Sequence, residues 1–243
     1  MIFYLDSFIE IKNLRKVYRV GSEKVVALDN INLTILKGEI CCLLGTSGSG
    51  KSTLLNIMAG LEKPTKGEIL INGKHLEKMN EKQISRFRSE NIGFIFQSYN
   101  LMPFLTALEN VSLPLVFKKI PKKIRDKKAT KMLELVGLKT HLKHKPSQMS
   151  GGQQQRVGIA RAFVAKPSLV FADEPTGNLD SRTSKEVMEL MVSYARENNE
   201  TLVIVTHDRE IAAYADRVIY ILDGNIEKTE IKMGDEKDIW VKI

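Results

Sequence analysis

The apolar positions along the chain fall into two kinds of run. Ile40 to Leu44, Leu169 to Ala172 and Leu202 to Val205 are continuous rather than alternating, the pattern of strands buried on both faces. Between the last two, Val187, Leu190, Met191 and Tyr194 recur at helical spacing, with Lys185, Glu189 and Arg196 off that face, which predicts an amphipathic crossover helix. Strand-length runs alternating with helical patterns predict an α/β fold with a parallel sheet.

The first thirty-odd residues follow another rhythm. Phe8, Ile9, Ile11, Val17, Val25, Val26, Ile31, Leu33 and Ile35 lie in short strand-like pieces broken at Asn13, Gly21 and Asp29–Asn30, which predicts a small antiparallel layer. From about Ser98 to Ala165 the strand signal disappears. There Ala129, Met132, Leu133 and Val136 form a helical stripe flanked by Lys122, Lys123, Lys127 and Lys131, so a helical insertion into the α/β core is expected. The tail from about Lys228 to Ile243 is charge-rich around Trp240 and reads as a frayed or weakly docked end. The expected plan is a single domain: an α/β core of 1–97 and 166–228, a helical subdomain of 98–165, and a tail of 229–243.

Composition narrows the class. With 243 residues, 43% hydrophobic and 27% charged, the chain has the proportions of a globular protein with a real core. The longest uncharged stretch, Asn91 to Leu108, carries Gln97, Ser98, Asn100, Pro103 and Thr106 and cannot span a bilayer as an apolar helix. Met1 to Leu5 is apolar, but Asp6 and Glu10 leave no signal region of the usual length. The two cysteines, Cys41 and Cys42, are adjacent within an apolar run and read as core filling in a reducing cytosol.

The net charge of +8 allows a nucleic-acid partner as readily as an anionic membrane. Its distribution matters more than its size. Between Lys118 and Lys145 there are eleven basic side chains against Asp126 and Glu134, a local balance of +9, so the rest of the chain sums to about −1. The chain is a near-neutral body with one basic segment.

The strongest chemical signal is Gly45-Thr46-Ser47-Gly48-Ser49-Gly50-Lys51-Ser52, followed by Thr53, which matches the phosphate-loop pattern at every fixed position. Glycines let backbone N–H groups turn inward around a polyphosphate, and the helix that follows directs its positive end at the same oxygens. Lys51 then supplies a point charge to the β- and γ-phosphates, and the Ser52 hydroxyl is placed to hold Mg²⁺. A strand precedes the motif and a helix-compatible run follows it, so binding of a nucleoside triphosphate is expected. A second buried strand, Leu169 to Ala172, ends in Asp173-Glu174, where carboxylates reach the crevice that holds ligands in α/β sheets. Asp173 is assigned to the Mg²⁺ shell and Glu174 to the attacking water as catalytic base.

With Met149-Ser150-Gly151-Gly152-Gln153 the chain resembles the ABC transporter ATPases, whose signature motif is Leu-Ser-Gly-Gly-Gln, and the resemblance runs from Phe8 to about Glu227. Met149 replaces the usual leucine, an exchange of similar apolar volume expected to cost under about 1.5 kcal/mol. The resemblance implies a nucleotide-binding fold with a RecA-like core. It places Gln97 in the Q-loop, bridging Mg²⁺ or water to the helical insertion, and Gly177-Asn178-Leu179-Asp180 in the D-loop. It makes His207 the switch histidine at the γ-phosphate and Tyr18 the aromatic that stacks on adenine. It further implies a homodimer closed head to tail on ATP, with Ser150, Gly151, Gly152 and Gln153 of one copy capping the nucleotide of the other.

Within that family, the stretches around Phe96 to Val111 and Asp173 to Asp180 resemble the lipoprotein-releasing and macrolide-exporting branch, which includes the cell-division ATPase. The partner implied is a separate integral membrane permease, which places this chain peripherally at the cytoplasmic face of the cell membrane, with no nucleic acid expected. The alternative is a soluble ABC ATPase of DNA repair, translation or iron–sulfur assembly. The first two usually carry a coiled-coil insertion or a second cassette, and this chain has neither.

Overall fold

The computed structural model describes residues 7–232 and 240–242. In chain order the strands are β1 (Ser7–Val20), β2 (Glu23–Leu36), β3 (Ile40–Leu44), β4 (Lys66–Ile71), β5 (Lys74–His75), β6 (Ile92–Phe96), β7 (Leu169–Asp173), β8 (Thr201–Thr206), β9 (Arg217–Leu222), β10 (Asn225–Lys232) and β11 (Trp240–Lys242). The helices are α1 (Lys51–Met58), α2 (Glu81–Asn91), α3 (Ala107–Phe117), α4 (Lys122–Leu135), α5 (Gly151–Phe163), α6 (Ser181–Glu197) and the short α7 (Arg209–Ala212). The chain divides into two compact units, with boundaries after Ser85 and after Glu200.

The first unit holds an antiparallel sheet of order β2-β1-β4-β5. The pieces expected to be short are two continuous strands of fourteen residues each. They join through a two-residue turn in which Gly21 takes φ 62°. The apparent breaks are bulges: Asn13 (φ 48°) and Asn30 (φ 51°) sit where the register slips, and asparagine tolerates this left-handed conformation better than most residues. The Asn32 side chain secures both, accepting from the Asn13 N–H at 2.9 Å and donating to the Asn30 carbonyl at 3.0 Å.

In the same unit β3 runs parallel to β8 on one side and β9 on the other. Ile40, Cys41, Cys42 and Leu43 are fully buried, as the unbroken apolar run requires. Both cysteines are buried, and burial pushes the Cys41 thiol well up. Of the tail expected to fray, 228–232 and 240–242 are paired, while 233–239 and 243 lie outside the described residues. β10 pairs antiparallel with β9 as far as Ile231↔Arg217, and β11 returns along β10.

The second unit carries the parallel pair β6 and β7, in register from Ile92↔Leu169 to Phe96↔Asp173. Helix α5 lies so close to β6 that a Cβ on Gly93 would stand 2.6 Å from the Ala162 carbonyl oxygen. The expected stripe of α4 is inward: Ala129, Met132, Leu133 and Val136 are all buried. Three helices of this unit begin with their own side-chain caps, Thr106 on α3, Ser150 on α5 and Asp180 on α6. Among the described residues of this unit, Arg125, Gln155 and Glu200 each leave a buried side-chain atom without a hydrogen-bond partner, and Glu200 is the titratable carboxylate of the three. It is 4% exposed, its Oε2 has no hydrogen-bond partner among the described residues, and burial pushes it up to about 7 with Lys166 only partly opposing. No helix among the described residues is long and apolar enough to cross a membrane.

Candidate functional site

In the first unit, residues 45–50 leave β3 and turn into α1, and the glycines answer three separate demands. A Cβ on Gly45 would collide with the Ile221 carbonyl oxygen of β9. One on Gly50 would stand 2.7 Å from the Ala27 carbonyl oxygen, and its φ is 102°. Gly48 faces open space but takes φ 80°. Beneath the loop the β9–β10 turn acts as a strut: Gly224 N–H donates to the Ser49 carbonyl at 2.9 Å, and its own carbonyl accepts from Asp29 N–H at 2.9 Å.

Gly50 occupies the cap position of α1 with no side-chain hydrogen bond to the helix, and no acidic residue stands in the first turn. That leaves the helix end positive and suited to an anion. Lys51, only 6% exposed, donates to the carbonyls of Gly45 at 2.8 Å and Thr46 at 2.7 Å, so its ammonium is already held inside the loop. Ser52 is exposed and Thr53 half-buried on the same turn. Tyr18, from β1, is half-buried, and its hydroxyl donates to Glu62 Oε2 at 2.6 Å. Burial and then the Glu62 hydrogen bond push its phenol up, with a Thr53 hydrogen bond opposing. His207 is exposed directly after β8, where Thr206 Oγ1 accepts from Asp208 N–H at 3.1 Å and Asp208 caps α7.

In the second unit, β7 ends at Asp173, and Glu174 takes φ 43°, a left-handed conformation unusual for a glutamate and of the kind that collects at functional sites. Both carboxylates are half-buried. Gln97, exposed just after β6, accepts from Asn178 Nδ2 on its carbonyl at 2.9 Å, and a Cβ on Gly177 would meet its side-chain nitrogen at 2.7 Å. The segments read as Q-loop and D-loop are thus in contact. Asp180 accepts from Thr183 N–H at 3.0 Å and from Thr183 Oγ1 at 2.7 Å, which lowers its carboxyl below the usual range.

The signature segment is a capping box. Ser150 Oγ accepts from Gln153 N–H at 3.3 Å, and Gln153 Oε1 accepts from Ser150 N–H at 2.9 Å. A Cβ on Gly151 would stand 2.7 Å from Tyr99 Oη, and one on Gly152 would stand 2.6 Å from Thr183 Cγ2 of α6. Met149 is buried, consistent with its filling the space of the usual leucine.

Residues that the motifs alone miss hold these loops. The fully buried Gln155 donates to the Pro175 carbonyl at 2.5 Å, tying α5 to the turn after Glu174. Arg161 donates to the Asn100 carbonyl at 2.5 Å and the Tyr99 carbonyl at 2.9 Å, holding two consecutive left-handed residues after Gln97. The available signal is a glutamine on the same helical row as Ile159 and Phe163, where a purely structural helix would carry an apolar side chain.

The donor set assigned to a divalent cation, Ser52 hydroxyl, Gln97 amide oxygen and Asp173 carboxylate, is all hard oxygen and suits Mg²⁺. No cluster of three or more His, Cys, Asp or Glu able to hold a metal occurs among the described residues.

Comparison with known proteins gives one consistent answer. A sequence model of the ABC transporter family matches residues 28–177. The ABC transporter ATP-binding protein MJ0796 of Methanocaldococcus jannaschii is 46% identical over 230 residues, covering 93% of this chain and 98% of that protein. Its dimeric structure in a post-hydrolysis state, bound to ADP and Pi, matches with a TM-score of 0.87 over 93% of this chain and 99% of that one. The lipoprotein-releasing system ATP-binding protein LolD of Legionella pneumophila is 46% identical over 225 residues, covering 93% of this chain and 99% of that protein. The cbiO1 protein of Clostridium perfringens, described as part of the ABC transporter complex cbiONQ, is 31% identical with a TM-score of 0.83, covering 92% of this chain and 88% of that one. The chain belongs to the ABC transporter family and is one of its ATP-binding, ATPase subunits.

Proposed function

We propose that this subunit powers an exporter or mechanotransmission complex of the lipoprotein-releasing and macrolide-exporting branch, closing head to tail with a second copy around ATP and driving a separate membrane permease. The observation that carries the chemistry is the α1 N-terminus, which has no side-chain cap and has Lys51 folded into its loop. Similarity to LolD supports the branch, and cbiO1, part of a larger transporter complex, supports the membrane partner.

On binding, the polyphosphate meets the α1 N–H groups, and Lys51 exchanges the Gly45 and Thr46 carbonyls for the β- and γ-phosphate oxygens. That exchange trades neutral acceptors for charged ones, which form the stronger hydrogen bonds. Tyr18 offers its ring to adenine. Ser52, Asp173 and Gln97 would hold Mg²⁺, which when bound neutralises charge on the phosphate oxygens. Glu174 accepts a proton from the attacking water, and its constrained backbone fixes the direction of the carboxylate. His207 donates to the γ-phosphate. Ser150 of a second copy still has its hydroxyl hydrogen to donate, because within the capping box its oxygen is the acceptor.

The deciding experiment is Glu174→Gln, measured for both binding and turnover. ATP binding is expected to persist, an ATP-bound dimer to accumulate, and turnover to fall by about 10²–10⁴-fold. Near-normal turnover would sink the assignment. For the transport reading, co-purification from the native membrane should bring a permease with the chain; recovery free of membrane protein would favour a soluble ATPase.

A further inference from the structure

Four side chains around Tyr18 form a built support that the phosphate chemistry does not use. Glu62, four residues beyond the end of α1, is its centre. Its Oε2 accepts the Tyr18 hydroxyl at 2.6 Å and faces Lys16 Nζ at 3.1 Å, while its Oε1 accepts from Asn56 Nδ2 of α1 at 3.2 Å. Lys16 in turn donates to the Lys63 carbonyl at 2.9 Å and lies over the Tyr18 ring, 4.9 Å from its centroid. The backbone on either side is laced to the same strand. Thr65 N–H donates to the Arg15 carbonyl at 2.8 Å, and Thr65 Oγ1 accepts from Val17 N–H at 3.0 Å.

The consequence for a bound base is geometric. A tyrosine ring on a strand can rotate about its side-chain bonds, and a stacked base gains only from a ring held in the stacking plane. With the hydroxyl anchored and one face covered by the Lys16 ammonium, a single face remains for a base. We infer that Glu62 is a positioning residue for nucleobase binding, acting through Tyr18 and touching neither base nor phosphate. The inference rests on the reading of Tyr18 as the base platform. Because Asn56 and Thr53 both lie on α1, the same contacts tie that platform to the helix whose first turn receives the phosphates.

The test compares two ligands, MgATP and magnesium tripolyphosphate, by calorimetry on the full chain. Glu62→Ala and Tyr18→Phe are each expected to weaken ATP binding about three- to tenfold, a part of the stacking contribution of a base. The double variant should be no weaker than the worse single one, because both remove one contact. Tripolyphosphate affinity should stay at the parent value throughout. An equal loss for both ligands would overturn the inference in favour of a general structural role. Tyr18→Ala separates the two levels. If it leaves ATP affinity unchanged, the base-platform reading fails. If it weakens ATP while Glu62→Ala and Tyr18→Phe bind like the parent, the platform stands and the role of Glu62 is overturned. Tyr18→Phe deletes a single oxygen at a half-buried position and keeps the test open should Glu62→Ala fold poorly.

Discussion

The two helix N-termini assigned to phosphate are finished in opposite ways. Helix α1 has Gly50 at its cap, left-handed and without a side-chain bond, and no acid in the first turn. Helix α5 closes its own first turn with the reciprocal Ser150–Gln153 box, as α3 does with Thr106 and Glu109. A helix end lacking an internal cap contributes less to folding, but its N–H groups need not release a side chain before they meet an anion. A self-capped end is stable alone and can present a preformed face to another molecule. On the proposed function, the difference separates a site that receives its ligand within one chain from a surface that meets a ligand carried by a second one.

This contrast can be broken experimentally. The largest effect is expected from Gly50→Ala, which places a methyl group 2.7 Å from the Ala27 carbonyl at φ 102°. We expect a loss of about 3 kcal/mol in denaturant unfolding, from strain and overpacking together. Gly48→Ala, with nothing within 4 Å, should lose only about 1 kcal/mol. Equal losses would mean that the close approach of the Ala27 carbonyl is not what requires glycine at position 50.

Next comes Lys51→Ala, expected to weaken ATP binding about 100-fold, the worth of two charge-assisted hydrogen bonds. It should also cut the stabilisation that ATP at 100 times the parent's Kd confers from about 2.7 to about 0.4 kcal/mol. Unchanged affinity by calorimetry would remove the lysine from the phosphate site.

Glu200 tests what an unpartnered buried carboxylate costs the second unit. Its folded-state pKa, about 7, lies above the ordinary 4.5, so the native state binds the extra proton. Stability from this group is therefore full below the ordinary carboxylate range and declines as pH rises towards about 7, by about 1–2 kcal/mol after allowance for partial solvation. Glu200→Gln should flatten that slope between about pH 5 and pH 8. A variant with the parent's pH dependence would place the titration elsewhere.

Smaller again is Ser150→Ala. It removes one cap and should cost about 1 kcal/mol of stability while leaving ATP binding by the single chain unchanged. Loss of ATP affinity in the isolated chain would contradict the division between the two helix ends. The basic segment is read in association rather than in folding stability or ATP binding. Replacing Lys122, Lys123, Lys127 and Lys128 of α4 by Gln should weaken membrane or permease association by about 1 kcal/mol per charge at low salt and leave ATP binding alone. An association insensitive to both the substitutions and salt would identify those lysines as a solvated face.

What the chain reveals in advance depends on how local each feature is. β3 with its loop, β7 with its two carboxylates, and the α6 stripe are legible because their patterns lie within a dozen residues. The β1–β2 ribbon reads as fragments because Asn13 and Asn30 look like terminators, and only cross-strand pairing turns them into bulges. β10 is illegible for a related reason. Its charged sequence takes strand form from the neighbouring β9, with Glu230 bonded to Tyr220 at 2.7 Å and to Lys228 at 2.6 Å. The supports of the site lie furthest from view: Arg161 meets carbonyls sixty residues earlier, and Glu62 meets a tyrosine on another strand. Such contacts leave no periodic trace.

The adjacent thiols of β3 acquire a use from their position. Successive side chains on a strand point to opposite faces, so Cys41 and Cys42 report on opposite sides of the same sheet. Both are fully buried, so a thiol reagent gains access only when the strand separates from its neighbours. Labelling of the intact protein therefore becomes a clock for the opening of the strand that carries the phosphate loop. Any nucleotide that grips the loop should slow that clock on both faces at once.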